Sequence, residues 1–197
     1  MRVLGISGSL RRESHNTALL RAAAERLPAG AELEPYERIA ELPAYDEDLE
    51  RGPVPDAVDE LRRATRAADA VLIATPEYNH SIPGALKNAI DWASRPAGES
   101  ALNGKPAAVI GASTGMFGAV WSQAEMRKVL AATGARVVDA ELPVGHAHRL
   151  PREREALVLD PGLEARLDEI LAELIDAAEQ QRELEHERAA ADERVAA

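Results

Sequence analysis

Short apolar runs recur along the chain with amphipathic stretches between them, and this alternation limits the fold more than any other feature. Val3 to Ser7, Ala70 to Thr75, Pro106 to Ala112 and Arg136 to Leu142 read as strands, with a weaker one near Ala31 to Tyr36. Helical spacing falls between them. Asn16 to Leu27 puts Leu19, Leu20, Ala23 and Leu27 on one face, and Asp56 to Ala68 repeats through Val58, Leu61 and Thr65. Pro83 to Ala93 opens with proline in its first turn. Val120 to Ala132 and Pro161 to about Ala178 complete the helices, and the Pro- and acid-rich Leu42 to Pro55 reads as a long surface loop. The order βαβαβαβαβα calls for a parallel sheet covered by helices on both faces.

A chain of 197 residues, 46% of them hydrophobic, suits a single globular domain. The formal net charge of −11 argues against general nucleic-acid binding and against adhesion to an anionic membrane. There is no cysteine, so disulfides, thiolate catalysis and Fe–S ligation are excluded. No apolar run approaches the ~20 residues that span a bilayer. The start, Met1 to Ile6, is too short for a secretory h-region. The expectation is a soluble cytoplasmic protein. Residues 1–178 form the folded unit. Residues 179–197, rich in Glu, Arg and Ala, read either as a solvated helical extension or frayed tail, or as a helix contacting a partner in an oligomer.

In an open α/β sheet, ligands bind beyond the carboxyl ends of the strands. Three loops there carry chemistry. Gly8 to Thr17 links the first strand to the first helix. Gly8 allows a close turn, Ser9, Ser14, Asn16 and Thr17 supply short polar groups, and Arg11 supplies a fixed charge in fork geometry. The loop is neither a Walker loop nor Gly-x-Gly-x-x-Gly. Phosphate binding and ordinary capping by Ser14 or Asn16 both stand open. Pro76-Glu77-Tyr78-Asn79 follows the third strand and offers an aromatic ring and peptide groups to a flat heterocycle, or is a plain turn. Ser113-Thr114-Gly115-Met116-Phe117-Gly118 follows the fourth strand and allows a ligand close to the backbone, or is a normal connection. Five strands favour the flavodoxin-like order, in which FMN sits at the switch point.

These residues resemble the NADPH-dependent FMN reductase family, which includes bacterial chromate, quinone and azo-dye reductases, over roughly residues 2–176. Gly8-Ser9-Leu10-Arg11 with Ser14 and Asn16 carries the resemblance, together with Pro76 to Asn79, Ser81 to Trp92, and Ser113 to Gly118. The middle block is the most specific. The resemblance implies a flavodoxin-like three-layer sandwich with a five-stranded parallel sheet. It implies that Ser9, Arg11, Ser14 and Asn16 hold the FMN phosphate with help from Thr17. Pro76, Glu77, Tyr78 and Asn79 would frame the isoalloxazine, and Ser113, Thr114 and Gly115 would close its other side. NADPH or NADH would be the co-substrate and a small molecule the electron acceptor, in a homodimer or homotetramer with the flavin near the subunit interface. Trp121 departs from several relatives, which carry a small or basic residue in that helix.

Because the cofactor supplies the difficult chemistry, no side chain is expected as an obligatory acid or base. The expected cycle is ping-pong: NAD(P)H reduces the flavin and leaves, and a quinone, azo or nitro compound, chromate or free flavin takes its place. Arg11, Arg12 or Arg95 are candidates for a 2′-phosphate pocket. The alternatives are a non-catalytic flavodoxin-type FMN electron carrier and a flavin-free phosphate-binding module. His146 and His148 have clip spacing, but no third ligand lies near them in sequence, so no metal site is expected. His80, Phe117 and Trp121 either line the acceptor site or simply pack, His15 touches phosphate or caps the surface, and Trp92 is core.

Overall fold

The computed structural model describes residues 1–196; of the charged segment named above, Ala197 lies outside the described residues. Strands β1 (Arg2–Ser7), β2 (Glu32–Tyr36), β3 (Ala70–Thr75), β4 (Pro106–Ala112) and β5 (Arg136–Val137) form a parallel sheet in the order β2-β1-β3-β4-β5. This is the flavodoxin-like order. Helices α1 (His15–Arg26), α2 (Glu47–Arg51), α3 (Asp56–Ala67), α4 (Gly84–Ala93), α5 (Val120–Ala132) and α6 (Pro161–Ala196) surround it.

The two-residue period of the strands divides the core into two layers. Val3, Leu72 and Ile110 face α1 and α6, where they meet Leu19, Leu20, Leu167, Ile170, Leu171 and Leu174. Leu4, Ile6, Val71, Ile73 and Val109 face the other way, against Leu61 of α3, Leu86 and Ile90 of α4, and Met126 and Leu130 of α5. Every residue of β3 and β4 is buried, as strands covered on both faces require. Edge strand β2 is mostly exposed and tolerates Pro35. Trp92 of α4 is fully buried, with its indole N–H donated to the Pro43 carbonyl at 2.8 Å.

Three local expectations change. The segment 42–55 is not a free surface loop. Asn88 Nδ2 and Trp92 Nε1 both bond the Pro43 carbonyl, which pins the chain onto α4, and Leu42 is buried. Within it Asp46 caps α2 by accepting the Asp48 N–H at 2.8 Å. The expected strand 136–142 is interrupted. It pairs as β5 and then again as β6 (Pro143–Val144), which lies beside Gly111 and Ala112. Between them the Gln123 side chain accepts the Leu142 N–H at 3.0 Å and donates to the Leu142 carbonyl at 3.2 Å, a carbonyl that also accepts the Gly111 N–H at 3.2 Å. An antiparallel hairpin of β7 (Arg152–Glu153) and β8 (Ala156–Leu157) follows, turned through Arg154 and Glu155, both at positive φ. Helix α6 runs on past Ala178, the last residue whose burial is described as complete, with Arg136 bonded to Gln180 and Gln181. No helix among the described residues is long and apolar enough to cross a membrane.

Candidate functional site

The sheet register brings the three loops to one edge. Ser7 of β1 lies beside Ala74 of β3, and Thr75 of β3 beside Gly111 of β4. Beyond these ends lies a cavity of about 210 Å³, lined by Ser9, Arg11, His15, Asn16, Pro76, Glu77, Tyr78, Ala112, Ser113 and Thr114. Eight of the twelve expected residues thus share one cavity; Ser14, Thr17, Asn79 and Gly115 are not in its lining, and Thr17 lines instead a cavity of about 540 Å³ on the β2 side of the first loop, together with Ser9 and Arg11.

In the first loop, Gly8 donates its N–H to Ala74 at 2.8 Å, and a Cβ there would lie 2.7 Å from Leu86 Cδ2 and 3.1 Å from Pro76 Cδ. A side chain here would press on both Leu86 and Pro76, so glycine suits the close approach of the first and second loops. Ser14 caps α1, its hydroxyl oxygen accepting the N–H groups of Asn16 and Thr17 at 3.1 Å each. Asn16, 2% exposed, spends its amide on one distant residue: Nδ2 donates to the Ala112 carbonyl and Oδ1 accepts the Ala112 N–H, both at 2.9 Å. Thr17 donates to Ser7 Oγ at 2.9 Å. Arg11 donates to the Glu13 carbonyl at 2.8 Å, so its guanidinium keeps further N–H groups for a ligand. The His15 ring is held below the ordinary histidine range, first by burial and then by the positive charges of Arg152 and Arg11 and by His148.

The second loop is a tight reversal. Tyr78 and Ser81 exchange both backbone bonds at 3.1 Å, with Asn79 and His80 between them at φ 53° and 60°. That is the left-handed pair a two-residue hairpin turn needs. Glu77 accepts the N–H groups of Trp121 and Ser122 through one carboxylate oxygen at 3.2 and 3.3 Å, where the N-terminal end of α5 favours negative charge, and its other oxygen lies 3.5 Å from His80 Nδ1. Ser81 donates to Glu125 at 2.6 Å, and the hydroxyls of Thr75 and Ser122 meet at 2.8 Å. The loop is therefore set by α5. Tyr78 stays 52% exposed at the cavity mouth.

The third loop hangs between β4 and the chain that follows β6. Ser113 donates its N–H to Val144, and its carbonyl accepts the Ala147 N–H, both at 3.0 Å. Its hydroxyl accepts the Gly115 N–H at 3.0 Å. Gly118, at φ 57°, lies so close to Pro143 that a Cβ would fall 2.2 Å from its carbonyl carbon. Phe117 and His80 both set ring edges against Trp121, at centroid distances of 5.1 and 4.9 Å. Met116, Phe117 and Trp121 are exposed beside the cavity. The His146 and His148 rings lie 6.3 Å apart. Among the described residues no three His, Cys, Asp or Glu side chains gather as a metal site.

Sequence reasoning overlooked Gln123 and Arg152. Neither carries a motif; both act through partners remote in the chain.

The profile of the NADPH-dependent FMN reductase family matches residues 1–149. An NAD(P)H-dependent FMN reductase of Pseudomonas aeruginosa is 51% identical over 130 residues, 66% of this chain and 69% of that protein. A quinone reductase of Pseudomonas putida is 46% identical over 125 residues, 64% of this chain and 67% of its own length. Among solved structures, FerB, a flavoenzyme NAD(P)H:(acceptor) oxidoreductase from Paracoccus denitrificans, superposes with a TM-score of 0.79 at 34% identity, covering 91% of this chain and 98% of that one. A profile match over three quarters of the chain, joined to a matching fold and a three-loop cavity, places this chain in the NADPH-dependent FMN reductase family.

Proposed function

We propose that the chain is an NAD(P)H-dependent FMN oxidoreductase whose cofactor occupies the three-loop cavity, with a quinone as its leading acceptor class. The observation that carries this is the convergence of Ser9 and Arg11, Pro76 to Tyr78, and Ser113 with Thr114 on one cavity. The residues suit the group. A phosphate needs charge-assisted donors, and Arg11, Ser9 and the hydroxyl hydrogen of Ser14 supply them. Asn16 and Thr17 serve the same phosphate by holding the loop's shape, since their side chains are bonded to Ala112 and Ser7. A flat ring needs approachable peptide groups and one open face. Pro76 to Asn79 and Ser113 to Gly115 frame it with main chain, and exposed Tyr78 flanks the opening.

When bound, FMN supplies the hydride chemistry between nicotinamide and acceptor. The protein's part is to hold and orient. Glu77 is committed to the start of α5, so it fixes the second loop and is not a proton donor in this reading. The quinone assignment draws on the relatives named for quinone reduction. NADPH and NADH both remain co-substrates of this proposal. A homodimer or homotetramer fits the exposed Met116, Phe117 and Trp121 at the rim, and a cytoplasmic setting fits the cysteine-free chain. Residues 1–178 are the reductase unit of this reading, and 179–197 an extension outside its chemistry.

The purified full chain is expected to be yellow or to take up added FMN, and to oxidise NADPH or NADH with a quinone faster than free FMN does. Colourless protein that takes up no FMN would remove the assignment. Flavoprotein with no turnover above free FMN would favour the electron carrier.

A further inference from the structure

The hairpin that reaches the first loop lies beyond the residues matched by the family profile. Arg152 Nη2 donates to the Glu13 carbonyl at 3.2 Å and sits 3.2 Å from His15 Nδ1. Arg21 of α1 pairs with Glu155 at 3.1 Å, which holds the hairpin against the helix that starts at His15. His15 lines the cavity beside Ser9 and Arg11. Around its ring stand Arg11 and Glu13 from its own loop, Arg152 from β7 and His148 from the turn before the hairpin, with Glu77 and Tyr78 across the cavity. Glu77 is turned toward α5, and the Glu13 contact is a peptide carbonyl, so the charges close to the ring are mainly positive.

Resting on the proposed FMN reading, we propose that Arg152 and His15 complete the phosphate seat as a second cationic pair, and that His15 takes up a proton when the phosphate arrives. The reason is charge balance. Without an anion, burial and then the charges of Arg152 and Arg11 favour the neutral His15 ring. A phosphate dianion in the cavity reverses the local field and favours imidazolium. The proton comes from solvent and goes to Nδ1, which otherwise accepts the Arg152 N–H, so Arg152 releases the ring and turns that N–H to the phosphate, which neutralises the added charge. Affinity then falls as pH rises through the value His15 has in the complex. Because the phosphate's own second ionisation lies near pH ~6, measurements above about pH 7 isolate the histidine.

The test is calorimetric titration of the flavin-free full chain with FMN and with riboflavin, at pH ~7.5, in two buffers of different ionisation heat. FMN is expected to bind with net uptake of part of a proton and riboflavin with none. His15→Asn should abolish that uptake while still binding riboflavin, which also shows that the variant folds. Arg152→Gln should weaken FMN about tenfold more than riboflavin, the scale of one charge-assisted hydrogen bond. FMN binding without proton uptake, uptake that survives His15→Asn, or equal loss of both ligands in Arg152→Gln would overturn this inference and leave the functional reading standing. Wild-type protein that binds riboflavin but not FMN would overturn both.

Discussion

Two buried side-chain amides do at the residue scale what strand ladders do elsewhere: Asn16 grips both ends of the Ala112 peptide, and Gln123 both ends of Leu142. Asn16 pairs both polar groups of Ala112, and Gln123 pairs the Leu142 N–H and shares its carbonyl with the Gly111 N–H, so each anchors the root of a candidate site loop. Asn16→Leu keeps the size but leaves the buried Ala112 N–H and carbonyl unpaired, a loss of about 2 kcal/mol or more. A lower melting temperature and weaker flavin retention are the expected readouts. Arg11→Ala, by contrast, should leave folding intact and weaken FMN by about tenfold more than riboflavin, since only FMN carries the phosphate that a charge-assisted bond would recognise. Equal loss of both flavins would contradict the role proposed for Arg11. The polar residues of the first loop were legible as a set because a helix start after a first strand has donors to offer. Which of them are spent on the protein was not. Asn16 bonds a residue 96 positions away, and no local pattern encodes that distance.

Elements were legible where burial alone decides them. β3 and β4 read as unbroken apolar runs because both faces are covered, and α5 was bounded correctly at Val120 and Ala132. Reading failed where side chains stand in for ladders or turns lack their usual residues. The stretch after β5 looks like continuous strand until Gln123 and Arg127 take the peptide groups of Leu142 and Ala140. The hairpin of β7 and β8 was missed because Arg154 and Glu155 occupy left-handed positions that Asn-Gly normally fills. That substitution makes a prediction. Arg154→Asn with Glu155→Gly relieves left-handed strain at two residues and gives up one exposed ion pair, for a net gain of about 1 kcal/mol. A raised melting temperature checks it, and an unchanged or lower one would show that the turn is not strained.

Across the whole molecule, the two core layers and the candidate site draw no described residue from the second half of α6. The buried face of that helix ends at Ala178, and beyond it the described contacts are polar, such as Arg136 with Gln180 and Arg182 with Asp69. Ending the chain after Ala178 should therefore leave the flavin spectrum and FMN affinity unchanged, with at most a small loss of stability from exposed pairs. Apoprotein after truncation would show that the extension belongs to the site. The outermost strand carries a different consequence. β2 has a neighbour on one side only, lacks a backbone donor at Pro35, and turns Glu32 and Glu34 to solvent. Copies of this chain thus have a poor seam for stitching their sheets into one continuous ribbon, and crowding it at high concentration should yield discrete particles rather than fibrils.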